Sequence, residues 1–90
     1  MISLVEAKEY LRIDGDDEDE IIITLLDSAR SLVSMVSRID DEDLDEDEPE
    51  IRIGILYSLA YLYEHREDAD YHDLTLMLRY LLAGVRKAAF

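Results

Sequence analysis

Cysteine is absent from this 90-residue chain, which excludes disulfides, thiolate metal sites and thiol redox chemistry and suits an intracellular protein. Bases are scarce: nine Lys and Arg stand against 23 Asp and Glu, for a formal charge of −14. Binding to a phosphate backbone comes from Lys and Arg displacing counterions, so this balance argues against direct nucleic-acid contact. Glycine occurs only at Gly15, Gly54 and Gly84, which read as a turn, a close-packing position and a helix end rather than a phosphate-cradling loop. Long apolar runs are missing too. The longest, Ile51–Tyr63, contains Arg52 and is too short to span a bilayer. Met1-Ile2-Ser3 has no basic n-region and acids follow at once, so no signal peptide is expected.

What the chain does have is concentrated acid. Six of the seven residues Asp14–Glu20 and nine of the eleven residues Asp40–Glu50 are Asp or Glu. Apolar helical patterns fill the space between and after these blocks, which argues for acidic corners on a compact domain rather than a disordered acidic tail. With 49% hydrophobic residues there is ample material for one core, and the length predicts a single domain over residues 1–90. The charge is uneven along the chain: Leu74–Phe90 carries Arg79, Arg86 and Lys87 and no acid. An acidic body joined to a basic tail favours head-to-tail contact or docking onto a partner of matching polarity.

The spacing predicts an all-α fold, a compact bundle of four helices. Ser3-Leu4-Val5-Glu6 reads as a capping box opening a short helix to about Arg12, ended by the Asp14-Gly15 turn signal. Asp16 or Asp17 is expected to cap a long second helix, whose apolar face is Ile22, Leu25, Leu26, Ala29, Leu32, Val33, Val36 and Ile39. Glu48-Pro49 opens a third helix, Pro suiting the first helical position. At 100° per residue, Ile51, Ile55, Leu59 and Leu62 form one apolar face of this helix and Ile53, Tyr57, Ala60 and Tyr61 another. Only a strip of Gly54, Ser58 and His65 is small or polar. Such a helix is central, and part of its second face is left for another subunit. Arg66–Asp73 reads as a polar connection. A fourth helix follows on Leu74, Met77, Leu78, Leu81, Leu82 and Val85, with Arg79 and Arg86 opposite, and residues 85–90 form a docking tail.

Searches for catalytic or metal chemistry return nothing specific. A calcium loop needs Gly at position 6 and a bidentate Glu at position 12. Counted from Asp14 those positions hold Asp19 and Leu25, and from Asp41 they hold Glu46 and Arg52. His65 and His72, seven residues apart across a helix end, do not converge as zinc ligands. There is no nucleophile elbow, and the tyrosines Tyr57, Tyr61 and Tyr63 lack the basic groove that a single-strand stacking platform requires. The reading is no enzyme, no cofactor and no metal.

Leu4–Asp14 (LVEAKEYLRID), Gly15–Asp19 (GDDED) and the helix Ile21–Val36 with its ARSLV segment together resemble the head–tail connector, or neck adaptor, family of tailed double-stranded DNA phages and prophages. Leu59–Glu67 (LAYLYEHRE) is similar to the end of that family's central helix, and Leu81–Phe90 (LLAGVRKAAF) to its closing segment. The resemblance implies a small helical subunit of the virion neck, made in the host cytoplasm, that assembles as a twelve-fold ring beneath the portal. The ring would extend the DNA channel and carry the next neck or tail-completion protein. The homo-oligomer and the portal would be its partners, with DNA passing through unbound and no membrane involved. The second acid block is more acidic than that family leads one to expect.

Candidate residues follow. The surplus apolar surface nominates Ile23, Ile53, Tyr57 and Tyr61 for the subunit interface. The one basic cluster nominates Arg79, Arg86, Lys87 and Phe90 for docking to the portal. Asp41, Glu42, Asp43, Asp45, Glu46 and Asp47 form an acidic channel or surface loop, whose charge would repel passing DNA. Two alternatives from other classes stay open on the residues alone. One is a soluble acidic helical interaction domain, the other a DNA mimic that blocks a basic nucleic-acid-binding protein.

Overall fold

The computed structural model describes residues 1–84. Four helices follow in order: α1 (Leu4–Leu11), α2 (Asp19–Ser37), α3 (Pro49–Glu64) and α4 (Tyr71–Leu81), with a 3-10 turn at Asp41–Asp43 between α2 and α3. No strand occurs among the described residues, and the all-α expectation holds. The α2–α3 pairing is the most extensive contact in the fold, and α1 and α4 each pack against both of these helices.

The helical periodicities find their core. Ile22, Leu26, Ala29, Val33 and Val36 of α2 meet Ile51, Ile55, Leu59 and Leu62 of α3, closed by Ala7 of α1 and by Leu74, Leu78 and Leu82 from α4 and its end. Burial at about 25 cal/mol per Å² of apolar area makes this cluster the dominant stabilising term. The strip of α3 that looks polar in sequence is in fact buried: Gly54 and Ser58 face the core. A Cβ on Gly54 would stand 3.3 Å from Leu82 Cδ2 and 3.4 Å from a Val33 methyl, so the missing side chain lets α2 and the end of α4 close on α3.

The first helix runs from the Ser3 cap to Arg12 as expected, but its caps are built differently. The Ser3 hydroxyl accepts from the Glu6 amide at 3.1 Å, but the Glu6 carboxylate pairs with Arg52 of α3 instead of returning to Ser3, leaving half a capping box. At the other end Arg12 itself, rather than Asp14-Gly15, makes the stop: it takes a left-handed conformation (φ 60°) while the Ile13 N–H donates to the Lys8 carbonyl, a glycine-type cap made by an arginine. Neither Asp16 nor Asp17 caps α2. Glu18 holds that position without a side-chain bond to the helix, because its carboxylate is engaged elsewhere. Finally, α4 begins three residues earlier than expected: Asp70 accepts from the Asp73 amide at 3.1 Å, so Tyr71, His72 and Asp73 are helical. On α4 Leu74 and Leu78 are buried as the pattern requires, whereas Met77 is exposed.

The described chain measures 45 × 28 × 17 Å along its principal axes. The three neighbouring helices leave part of the second face of α3 uncovered: Ile53 is exposed and Tyr57, Ala60 and Tyr61 are half-buried.

Candidate functional site

That second face is a ridge between two grooves. Tyr57 and Tyr61, one turn apart on α3, border a groove of 360 Å³ shared with Asp73, Leu74, Leu76 and Met77 of α4. On their other side they border a groove of 410 Å³ with Tyr10, Ala60, Glu64 and His65. Tyr61 is fixed in place: its ring stacks on His65 with centroids 4.3 Å apart, and its hydroxyl accepts from the Asp70 amide at 2.9 Å. Tyr61 therefore ties α3 to the start of α4 as well as facing the grooves. Ile53 is one turn before Tyr57 on the same helix and 53% exposed. Leu76, Met77 and Tyr10 are exposed beside the ridge, and sequence reading passed over them. Leu76 and Tyr10 fall outside the strict apolar spacing of their helices, and Met77 was counted as core.

Ile23 is 46% exposed on α2 and, like Ile53, lines neither groove. Of the basic cluster, only Arg79 is described. It lies exposed on α4 and lines a separate groove of 230 Å³ with Met35, Val36, Arg38 and Thr75. Arg86, Lys87 and Phe90 fall outside the described residues.

The second acid block divides. Asp41, Glu42, Asp43, Asp45 and Asp47 are exposed, as a surface loop requires. Glu46 is not part of that surface: its side chain is 11% exposed and turned inward. Arg30 of α2 donates to it twice, from Nε to Oε2 at 2.8 Å and from Nη2 to Oε1 at 3.3 Å. The Ile2 amide donates to Glu46 Oε1 at 2.9 Å, and the Ile2 carbonyl accepts from Arg30 at 2.9 Å. The Ile2 residue is thus held at both ends by one ion pair. Burial pushes the Glu46 carboxyl up, but the bonds from Arg30 and Ile2, helped by the charges of Arg30 and the Met1 ammonium, outweigh it and leave it below the usual range. The physical correction is simple. An acid run reads as uniformly solvated, yet one carboxylate in it finds a cation on a packed helix.

The first block is likewise more structural than its composition suggests. The Lys8 ammonium sits 3.1 Å from Asp16 and 2.8 Å from Asp19. Tyr63 donates to Glu18 Oε1 at 2.5 Å, and Arg66 donates to Oε2 at 3.0 Å while its guanidinium lies 5.1 Å from the Tyr63 ring centroid. The Tyr63 bond, with Arg66 in support, holds the Glu18 carboxyl below its ordinary value, and Glu18 pushes the Tyr63 phenol up. This brace pins the α1–α2 loop to the end of α3. A hollow of 560 Å³ opens beside it between Tyr63, Glu64, Arg66, Glu67 and Asp68. Among the described residues no three His, Cys, Asp or Glu side chains converge as metal ligands.

In the comparison with known families, residues 1–87 match the family described as phage gp6-like head-tail connector protein. The chain belongs to the phage gp6-like head–tail connector family. As a connector it is a structural protein of the phage virion, at the portal–tail junction, and its family is structural rather than enzymatic. No curated protein and no solved structure shows a significant match to this connector. No helix among its described residues is long and apolar enough to cross a membrane.

Proposed function

We propose that this connector assembles with copies of itself into a twelve-fold ring between portal and tail. The ring extends the DNA channel and provides the platform for the next neck or tail-completion protein. The observation that carries the reading is the half-buried Tyr57–Tyr61 ridge with exposed Ile53, Leu76 and Met77 beside it, on a member of a connector family. Exposed apolar surface grouped on one face of a small helical domain marks a contact site. A ring requires that two different patches of each subunit meet, and a ridge flanked by grooves offers one of the two. The acid excess suits the conduit. Twelve copies would carry on the order of −170 formal charges, and screening over about 8 Å confines their repulsion of DNA to side chains near the lumen. Asp41, Glu42, Asp43, Asp45 and Asp47 are the exposed candidates for that wall.

The experiment is charge substitution at the ridge. Ile53→Lys with Tyr57→Lys is expected to keep the helical circular dichroism of the parent and to abolish rings seen by light scattering and negative-stain imaging. Rings of normal size from this variant would remove the ridge from the interface. For the portal contact the reading retains Arg86, Lys87 and Phe90. Deleting residues 85–90 should leave helicity intact and abolish attachment to portal rings, and normal attachment would overturn that assignment.

A further inference from the structure

Of the seven Lys and Arg side chains among the described residues, Lys8, Arg30, Arg52 and Arg66 form ion pairs with carboxylates of their own chain. Arg12, Arg38 and Arg79 form none among the described residues, and the last two share the groove between α2 and α4, beside Thr75, Val36 and an exposed Met35. Two unpaired guanidinium groups on one groove are hard to reconcile with a chain that has 23 acids to offer, unless the carboxylates meant for them come from elsewhere. The same molecule carries matching acid. Asp41, Glu42 and Asp43 form one 3-10 turn, fully exposed, and their side chains have no partner among the described residues. The acids of the first block differ, since Asp16, Glu18 and Asp19 are held by Lys8, Tyr63 and Arg66.

We infer that the Arg38–Arg79 groove of one subunit receives the Asp41–Asp43 turn of a second copy of this chain. The inference deepens the ring reading and rests on it. Charge supports this occupant: the turn is acidic and exposed where the groove carries two guanidinium groups, so two copies complement one another. Turn and groove are different patches of one chain, which a heterologous contact requires. Charge complementarity of this kind sets register and partner choice at contact rims, and Met35 supplies an apolar contact at the groove. The turn can touch a neighbour at its edge while Asp45 and Asp47 of the same loop face the lumen.

The absence of cysteine makes the test direct. Met35→Cys protein and Glu42→Cys protein are mixed and treated with a short bis-maleimide. The Met35–Glu42 product between chains is expected to exceed the two same-site products, and to fall to their level in high salt. Arg38→Gln with Arg79→Gln should weaken self-association in low salt about tenfold, the scale of a few rim ion pairs, with helicity unchanged. Reversing both sides together, Arg38→Glu and Arg79→Glu with Asp41→Lys and Asp43→Lys, should restore it. Same-site products dominating, or full assembly by the arginine variant, would overturn the inference while leaving the ring intact. Normal rings from the arginine variant with loss of portal attachment would give the groove to the portal and overturn it too. A parent protein that stays monomeric at every concentration and gives no cross-link would overturn both the inference and the ring.

Discussion

Arg30 shows how far a single side chain can organise this fold. It holds Glu46, the Ile2 carbonyl and Asp27 at once, joining the start of the chain, α2 and the acidic loop. Removing one partner of such a mostly buried pair costs more than the pair itself contributes, because the other charge is left behind. Arg30→Ala is expected to destabilise by about 3 kcal/mol, lowering Tm by more than about 10 °C. A thermal melt showing a change of only a degree or two would refute this. The same pair sets a pH response. Glu46 titrates below its ordinary value when folded, so its contribution is present above the unfolded carboxylate pKa and is lost as pH falls through the folded one. Stability should therefore drop in acid, and Glu46→Gln should lose part of its advantage at neutral pH and flatten the acid limb of Tm against pH. Ser58 is the converse case. Its hydroxyl is buried in the core without a hydrogen-bond partner among the described residues, so Ser58→Ala is expected to raise stability by about 1 kcal/mol.

At the scale of elements, α3 is the test of how the helices fit. Gly54→Ala places a Cβ against two side-chain methyl positions at 3.3 and 3.4 Å, a small clash set against about 1 kcal/mol of helix propensity. The melting temperature should barely move. Gly54→Leu has no such compensation, and should force Leu82 off α3 with a loss of about 3 kcal/mol, read as a lower chemical-denaturation midpoint. The helices themselves were legible because Ile22-Leu26-Ala29-Val33 and Ile51-Ile55-Leu59-Leu62 repeat at the helical period, and periodicity is a local property. The ends were less so. Glu18 was overlooked as the position before α2, because the partners that hold its carboxylate, Tyr63 and Arg66, lie 45 and 48 residues away. The strip of Gly54 and Ser58 misled in the same way: small or polar residues look solvent-facing until the depth of the neighbouring helix is known. For the proposed contact surface, Ile53 and Tyr57 were nominated from the surplus apolar face of α3, and the fold leaves the first exposed and the second half-buried. Tyr10, Leu76 and Met35 could not be nominated, since each gains its meaning only beside a groove made by another helix.

For the whole molecule, charge is the controlling quantity. With −14 on a body of this size, self-repulsion works against the compact state. Raising salt from low to moderate concentration is expected to raise Tm, even though the individual ion pairs are weakened by the same screening. A fall in Tm with added salt would mean that the pairs outweigh the bulk repulsion. Assembly should respond the other way where rim charges steer it. A contact resting on Arg38, Arg79 and the acidic turn should loosen with salt, and one resting on the Tyr57–Tyr61 ridge should hold. Measuring self-association across a salt series would therefore separate the two surfaces without any mutation.

The hold of Arg30 and Glu46 on Ile2 also bears on the order of events during synthesis. Ile2 is made 44 residues before the carboxylate that fixes it. The loop holding Glu18 must likewise wait for Tyr63 and Arg66. Neither early segment can settle until α2, the acidic loop and α3 have emerged.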